Sequence, residues 1–216
     1  INKKDEKLWL ILAEAQIANK LYKNALDSLN KAEKINSNIV EIYFAKSNVY
    51  IKTLELKNAK STLKTALKIE PNNYKTIFQL GNIFLMEKNY SQAINLFEKA
   101  VKIKPDFWQA LNNQGLAYFE KDKINLSIKL FEKAININEN AEPLLGLASC
   151  LRIKDITLAL KLAKKALTKN PNYVDFDYRK EQLWGEQLQN STETLLKNDQ
   201  LQSDVILAKS KINASY

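Results

Sequence analysis

Two prolines thirty-four residues apart, Pro71 and Pro105, frame the stretch that most constrains this chain, YKTIFQLGNIFLMEKNYSQAINLFEKAVKIKPDF over residues 74–107. Small Gly81, Ala93 and Ala100 stand among large Tyr74, Ile77, Leu80, Phe84 and Phe97. That spacing predicts two amphipathic helices joined at Glu87-Lys88-Asn89 and closed by Pro105. Two helices of this length cannot bury both apolar faces alone, so such a unit needs neighbours stacked on it.

Sliding the 34-residue frame finds those neighbours. A unit over 6–39 places Trp9, Leu12, Ala13, Ala25, Leu29 and Ala32 on the matching large and small positions. The unit over 40–73 places Tyr43, Ser47, Ala59, Leu63 and Ala66 there, with Lys46 as a departure at which either one inter-helix contact is expected to be weaker or the alkyl stem to snorkel. The unit over 108–141 is headed by Trp108 and carries Leu111, Gln114, Gly115, Tyr118, Ser127, Phe131 and Ala134, with Glu139 in place of the closing proline. A fifth, over 142–173, keeps Ala159, Ala163 and Ala166, but Pro171 follows Glu139 by 32 residues, so its first helix or its turn is expected to be trimmed. Larger side chains at Gly81, Ala100, Gly115 or Ala134 would overpack the helix contacts, at ~1–3 kcal/mol.

This 34-residue pattern resembles the tetratricopeptide repeat family over roughly four fifths of the chain. The resemblance implies an all-α fold, a right-handed α-solenoid of about five helical hairpins over residues 1–173, followed by a helical C-terminal cap over 174–216. The cap is expected because the last repeat otherwise leaves an apolar face in water, and Leu183, Trp184, Leu188, Leu195, Leu196 and then Leu201, Val205, Ala208, Ile212 supply two stripes for it. Truncation after Tyr173 is expected to cause aggregation or loss of cooperative unfolding. The run Glu181-Gln182-Leu183-Trp184-Gly185 also resembles, more loosely, repeat proteins of cyanobacteria and plastids, some of which assist photosystem assembly.

Composition narrows the chemistry. With no histidine and one cysteine, Cys150, the chain has no internal disulfide and no material for a Ser-His-Asp triad, a Cys-His pair or the usual zinc site. Its few glycines are scattered, so no phosphate-binding glycine loop is present. The expectation is a protein without catalytic residues, cofactor or metal, and with Cys150 a small buried hydrophobe. The formal charge of +9 comes from dispersed lysines with only Arg152 and Arg179 as arginines, which reads as solvated helix faces and disfavours nucleic acid as a partner. Contact with a membrane is expected to be peripheral at most, since Leu8–Ala13 is far too short to span one. The expected compartment is cytoplasmic, although a chain beginning at Ile1 leaves room for an upstream anchor or signal.

In proteins that this sequence resembles, positions 2, 5, 6, 9 and 12 of each unit face a groove that holds peptides. Mapped here they give, as the candidate partner-binding set, Phe44, Asn48, Lys75, Phe78, Gln79, Asn82, Gln109, Asn112, Asn113 and Phe119. Side-chain amides both donate and accept, so a row of them can pair with the backbone of an extended peptide, and flanking phenylalanines add contact area. A carboxylate clamp for heat-shock protein tails is not expected: Asn82 and Asn113 fit its asparagines, but Phe78 occupies a lysine slot. The expected function is therefore a protein-interaction scaffold or assembly factor holding an extended segment or helix of a protein partner. The rival readings are a salt-sensitive adaptor for RNA or an anionic membrane, and a substrate-presenting part of a larger enzyme.

Overall fold

The structure is a computed structural model that describes residues 5–214; residues 1–4 and 215–216 of the expected spans lie outside the described residues. Among the described residues there are helices and turns and no strand. The chain divides into two compact units, residues 1–83 and 84–216, with the boundary inside one helix.

In the first unit lie α1 (Glu6–Ala18), α2 (Tyr22–Ile35), α3 (Val40–Lys52), α4 (Leu56–Ile69) and most of α5 (Tyr74–Met86). Ala25, Leu29 and Ala32 on α2 are fully buried, and so are their counterparts Ala59, Leu63 and Ala66 on α4. The small residues let the helices approach, and the large ones fill the seam. Ala13, Ala25, Leu29, Ala32, Ile42, Ala45 and Val49 form one continuous cluster, flanked by Trp9, Ile17 and Tyr22. Lys46, the departure from the pattern, is buried and forms an ion pair with Glu33 of α2 instead of reaching water.

In the second unit, α6 (Tyr90–Ile103) precedes the hairpins α7 (Trp108–Glu120) with α8 (Ile124–Ile137), and α9 (Ala141–Leu151) with α10 (Ile156–Lys169). The ring of Phe131 on α8 lies against two glycines. A Cβ at Gly115 of α7 would stand 3.0 Å from its Cε1, and one at Gly146 of α9 would stand 2.7 Å from its Cζ. Ser127, in the slot where other units have alanine, donates to the carbonyl of Gly115 at 2.8 Å.

The turns repeat as faithfully as the helices. Lys20, Leu54, Lys88 and Asp122, thirty-four residues apart, each take a left-handed conformation with φ between 57° and 62°. Each turn closes with the next residue's N–H reaching back five residues, as in Leu21 to Gln16 at 2.8 Å and Lys123 to Tyr118 at 2.9 Å. This is a Schellman cap made without glycine, a substitution that costs roughly 1–2 kcal/mol of backbone strain at each site. The trimmed unit is α9, with 11 residues where α7 has 13, and at its end Arg152 stays right-handed.

After α10 the period ends. A 3₁₀ turn (Pro171–Val174) leads to α11 (Phe176–Glu181), α12 (Glu186–Leu196), a second 3₁₀ turn (Asp199–Leu201) and α13 (Gln202–Asn213). α13 packs on α10 and on the first 3₁₀ turn, whereas α12 packs on α9 and α7.

Candidate partner-binding site

In the first unit, α3 and α5 bring together the expected amides. Gln79 Nε2 donates to Asn48 Oδ1 at 2.7 Å across the two leading helices. Beside them opens a cleft of about 330 Å³ lined by Glu41 and Phe44 of α3 and by Tyr74 and Lys75 of α5. Asn73 fixes the start of α5, its Oδ1 accepting from the backbone N–H and the hydroxyl of Thr76, each at 3.0 Å. Phe44, Asn48, Phe78, Gln79 and Asn82 are half-buried and Lys75 is exposed, so the strip offers apolar rings, amides and one cation together.

The remaining candidates lie in the second unit, where the surface differs. Gln109 is half-buried, Phe119 and Asn113 are buried, and Asn112 has no exposed surface at all. A side chain at those positions was expected to face a solvent-filled groove; here α12 covers the leading-helix face of α7 and α9. Asn112 donates to Asn113 Oδ1 at 3.0 Å and lies beside the Glu142 carboxylate, while its own Oδ1 has no hydrogen-bond partner.

α12 is fastened to that face by polar groups. Its N-cap is Gly185, which has no side chain to cap the first turn. The buried Glu120 at the end of α7 does so instead, Oε1 accepting from the Leu188 N–H at 3.0 Å and Oε2 from the Gln187 N–H at 3.3 Å. A Cβ at residue 185 would fall 2.2 Å from Glu120 Cδ, so a side chain there would have to displace the carboxylate from its present position. Farther along, Ser191 Oγ donates to the Ser149 carbonyl at 2.9 Å, Ser149 and Thr192 hydroxyls meet at 2.7 Å, and Arg152 Nε donates to Ser191 Oγ at 2.8 Å.

Trp184, just before Gly185, is buried and donates through Nε1 to Glu142 Oε1 at 3.1 Å. Desolvation pushes the Glu142 carboxyl up to about 7, against the hydrogen bonds it receives from Trp184, Asn112 and Tyr173. On the other flank Arg179 is fully buried, donating to Gln189 Oε1 at 2.8 Å and to the Tyr173 carbonyl at 2.7 Å and pairing with Glu193. Both arginines of the chain thus serve α12. Cys150 is buried near Ser127, and burial pushes its thiol up to about 12, which leaves it protonated and unreactive.

Glu120, Glu142 and Ser149 were not among the sequence candidates. One signal for them exists: a glycine directly before Glu186-Gln187-Leu188 announces a helix whose cap must come from elsewhere. Among the described residues no cluster of His, Cys, Asp and Glu could hold a metal ion, and no helix is long and apolar enough to cross a membrane.

Stacked helical hairpins with small-residue seams and a 34-residue turn period define a repeat protein. Models of the tetratricopeptide repeat match residues 40–73 and 109–140, and a TPR repeat model matches residues 81–122. The chain thus carries tetratricopeptide repeats over these residues. Its fold is similar to that of PilF from Pseudomonas aeruginosa (TM-score 0.70, 18% identity, 92% of this chain and 95% of that one). It is also similar to a thermophilic TPR protein of Thermus thermophilus, TTC0263 (TM-score 0.66, 20% identity, 82% and 96%), and to YrrB, described as a TPR protein with an unusual peptide-binding site (0.60, 20%, 80% and 90%). No curated protein matches the sequence. At these identities the likeness gives the fold, and a tetratricopeptide fold is in general a protein-interaction scaffold.

Proposed function

We propose that the protein is a scaffold or assembly factor that holds a segment of a partner protein, in extended or helical form, on the leading-helix face of its first unit. Phe44, Asn48, Lys75, Phe78, Gln79 and Asn82 are the contact residues. The observation that carries this reading is the Gln79–Asn48 amide pair at 2.7 Å beside the Phe44–Lys75 cleft. A paired amide is held in one orientation, so its remaining donors and acceptors can meet a peptide backbone at little entropic cost. Phe44 supplies apolar area, and Lys75 and Glu41 offer one charge of each sign to the bound segment. The peptide-binding site named for YrrB supports the class of ligand. Within this reading residues 1–173 form the repeat segment and 174–216 its cap.

The test is affinity capture from lysate with the wild-type chain beside a Phe44→Ala/Gln79→Ala variant of unchanged helicity, followed by direct titration of a captured partner's segment. Selective loss in the variant supports the strip, and identical capture with identical affinity refutes it. Raising salt discriminates the adaptor reading, because an anionic polymer or membrane is released steeply whereas a peptide held by amides and rings is released little.

A further inference from the structure

We propose that the outer face of α1 joins a second copy of this chain, the two α1 helices lying antiparallel. The reading rests on the repeat register and is independent of the strip on α3 and α5.

In α3 the positions turned to the preceding hairpin are Ile42, Ala45 and Val49, buried in one cluster with Ala13 of α1 and with Ala25, Leu29 and Ala32 of α2. In α7, sixty-eight residues on, Ala110 and Ala117 hold the first and third of these positions and have no exposed surface, with α6 packed on that helix. Thirty-four residues before α3 the same positions are Leu8, Ile11 and Ala15, and no helix precedes α1 among the described residues. All three are exposed, Ile11 by 60% and Leu8 by 38%. Leu8 and Ala15 stand at positions 3 and 10 of their unit, off the positions that face a peptide groove, and Ile11 at position 6 borders them. Ala18, also exposed, continues the set, so Leu8, Ile11, Ala15 and Ala18 form an apolar stripe with the spacing of one helix face. A repeat at the end of a stack ordinarily turns a polar side outward. Here the stacking face itself meets water.

Three features select a second copy as the occupant. The stripe is large in its first half and small in its second, so antiparallel pairing about a two-fold axis sets Leu8 against the copy's Ala18 and Ile11 against the copy's Ala15, and each reverse pair as well. That is the large-on-small fit by which Phe131 meets Gly115 and Gly146. The same pairing brings Glu6, in the first turn of α1, beside the copy's Lys20 just past the last turn, and it opposes the two helix dipoles. Lys7 and Glu14 border the stripe as its polar rim. Finally, the last helix offers no matching surface for head-to-tail stacking: α13 exposes Ile206 and Leu207 among Ser203, Lys209, Ser210 and Lys211, which leaves no continuous apolar stripe.

The experiment is sedimentation equilibrium of the full chain. One pair of helices is a small interface, so a monomer–dimer equilibrium with a dissociation constant of roughly 1–100 µM is expected. Ile11→Asp changes a side chain that already faces water in the single chain, and it is expected to weaken association at least about ten-fold with helicity unchanged. Register is read by cross-linking under mild oxidation, in which the buried native Cys150 stays silent. A Leu8→Cys chain mixed with an Ala18→Cys chain is expected to form the disulfide. Leu8→Cys alone is not, because antiparallel pairing holds its two copies about 15 Å apart along the axis. A chain that stays monomeric at millimolar concentration leaves the face to some other partner and overturns the proposal, as does an Ile11→Asp chain that associates as before or a Leu8→Cys chain that cross-links with itself. Growth beyond the dimer that Ile206→Asp abolishes overturns it too, since the face is then joined head to tail with α13.

Discussion

Phe131 and Arg179 are both fully buried in the second unit, and they are held by opposite means. Phe131 is packed against glycines on two leading helices, with no polar partner to satisfy. Arg179 is surrounded by the Gln189 amide, the Tyr173 carbonyl and the Glu193 carboxylate, and its place depends on each of them. The difference extends to the regions they belong to. Repeat hairpins are joined chiefly by shape, which tolerates sequence change so long as small and large alternate, with Ser127–Gly115 and Lys46–Glu33 as added polar contacts, whereas the segment after Pro171 adds to its buried leucines a denser set of hydrogen bonds that fit one geometry.

The largest effect expected from breaking this contrast is on the apolar side. Phe131→Ala removes the ring that fills the space at Gly115 and Gly146 and should cost ~3–5 kcal/mol in urea denaturation. Arg179→Ala should cost less, ~2–3 kcal/mol, because it strands Gln189 and the Tyr173 carbonyl while the partly exposed Glu193 turns to water. The two losses should also differ in place. Hydrogen exchange after Arg179→Ala should rise in α11 and α12 ahead of α8, and after Phe131→Ala in the hairpins.

The polar region should in addition respond to pH, in a direction set by Glu142. Docked beneath Trp184, its carboxyl holds a proton up to about 7, against an ordinary value of 4.5. Between those values the docked state binds more protons than the undocked one, so docking is fully favoured below the lower value and weakens as pH rises through the window. Trp184 emission, read in a Trp9→Phe/Trp108→Phe background, should shift toward that of exposed indole over this range. Glu142→Gln should abolish the shift. The groups facing Glu142, namely Trp184, Asn112 and a Tyr173 whose pKa burial raises further, do not titrate there.

The smallest effect belongs to the turns. Leu54, exposed and at φ 62°, should be replaceable by glycine with a gain of up to ~1 kcal/mol in thermal unfolding, since strain relief outweighs the added chain entropy. A loss instead would show that Leu54 contributes contacts beyond its turn.

These two regions also differ in how far the sequence discloses them. The hairpins are legible because Ala25, Ala59 and Ala93 recur at a fixed interval, each fully buried, and repetition multiplies a weak signal. The amides Asn48 and Gln79, thirty-one residues apart, are brought together by that same periodicity. Glu120 and Leu188 are separated by sixty-eight residues with no period to relate them, so their pairing emerges only when the fold places α12 on α7. For the same reason Asn112 and Asn113 read as groove amides in the sequence although α12 covers their helix in the structure.

The arrangement rests on α12 lying against α7 with Glu120 as its cap. First-turn amides of a helix ordinarily lack partners, so protection at Gln187 and Leu188 is a direct report of that contact. Site-resolved hydrogen exchange should find both amides protected in the wild type and lose about a hundred-fold of that protection in Glu120→Ala, with α8 and α10 unchanged. Amides at Gln187 and Leu188 that exchange freely in the wild type, or that keep full protection in Glu120→Ala, would contradict the account.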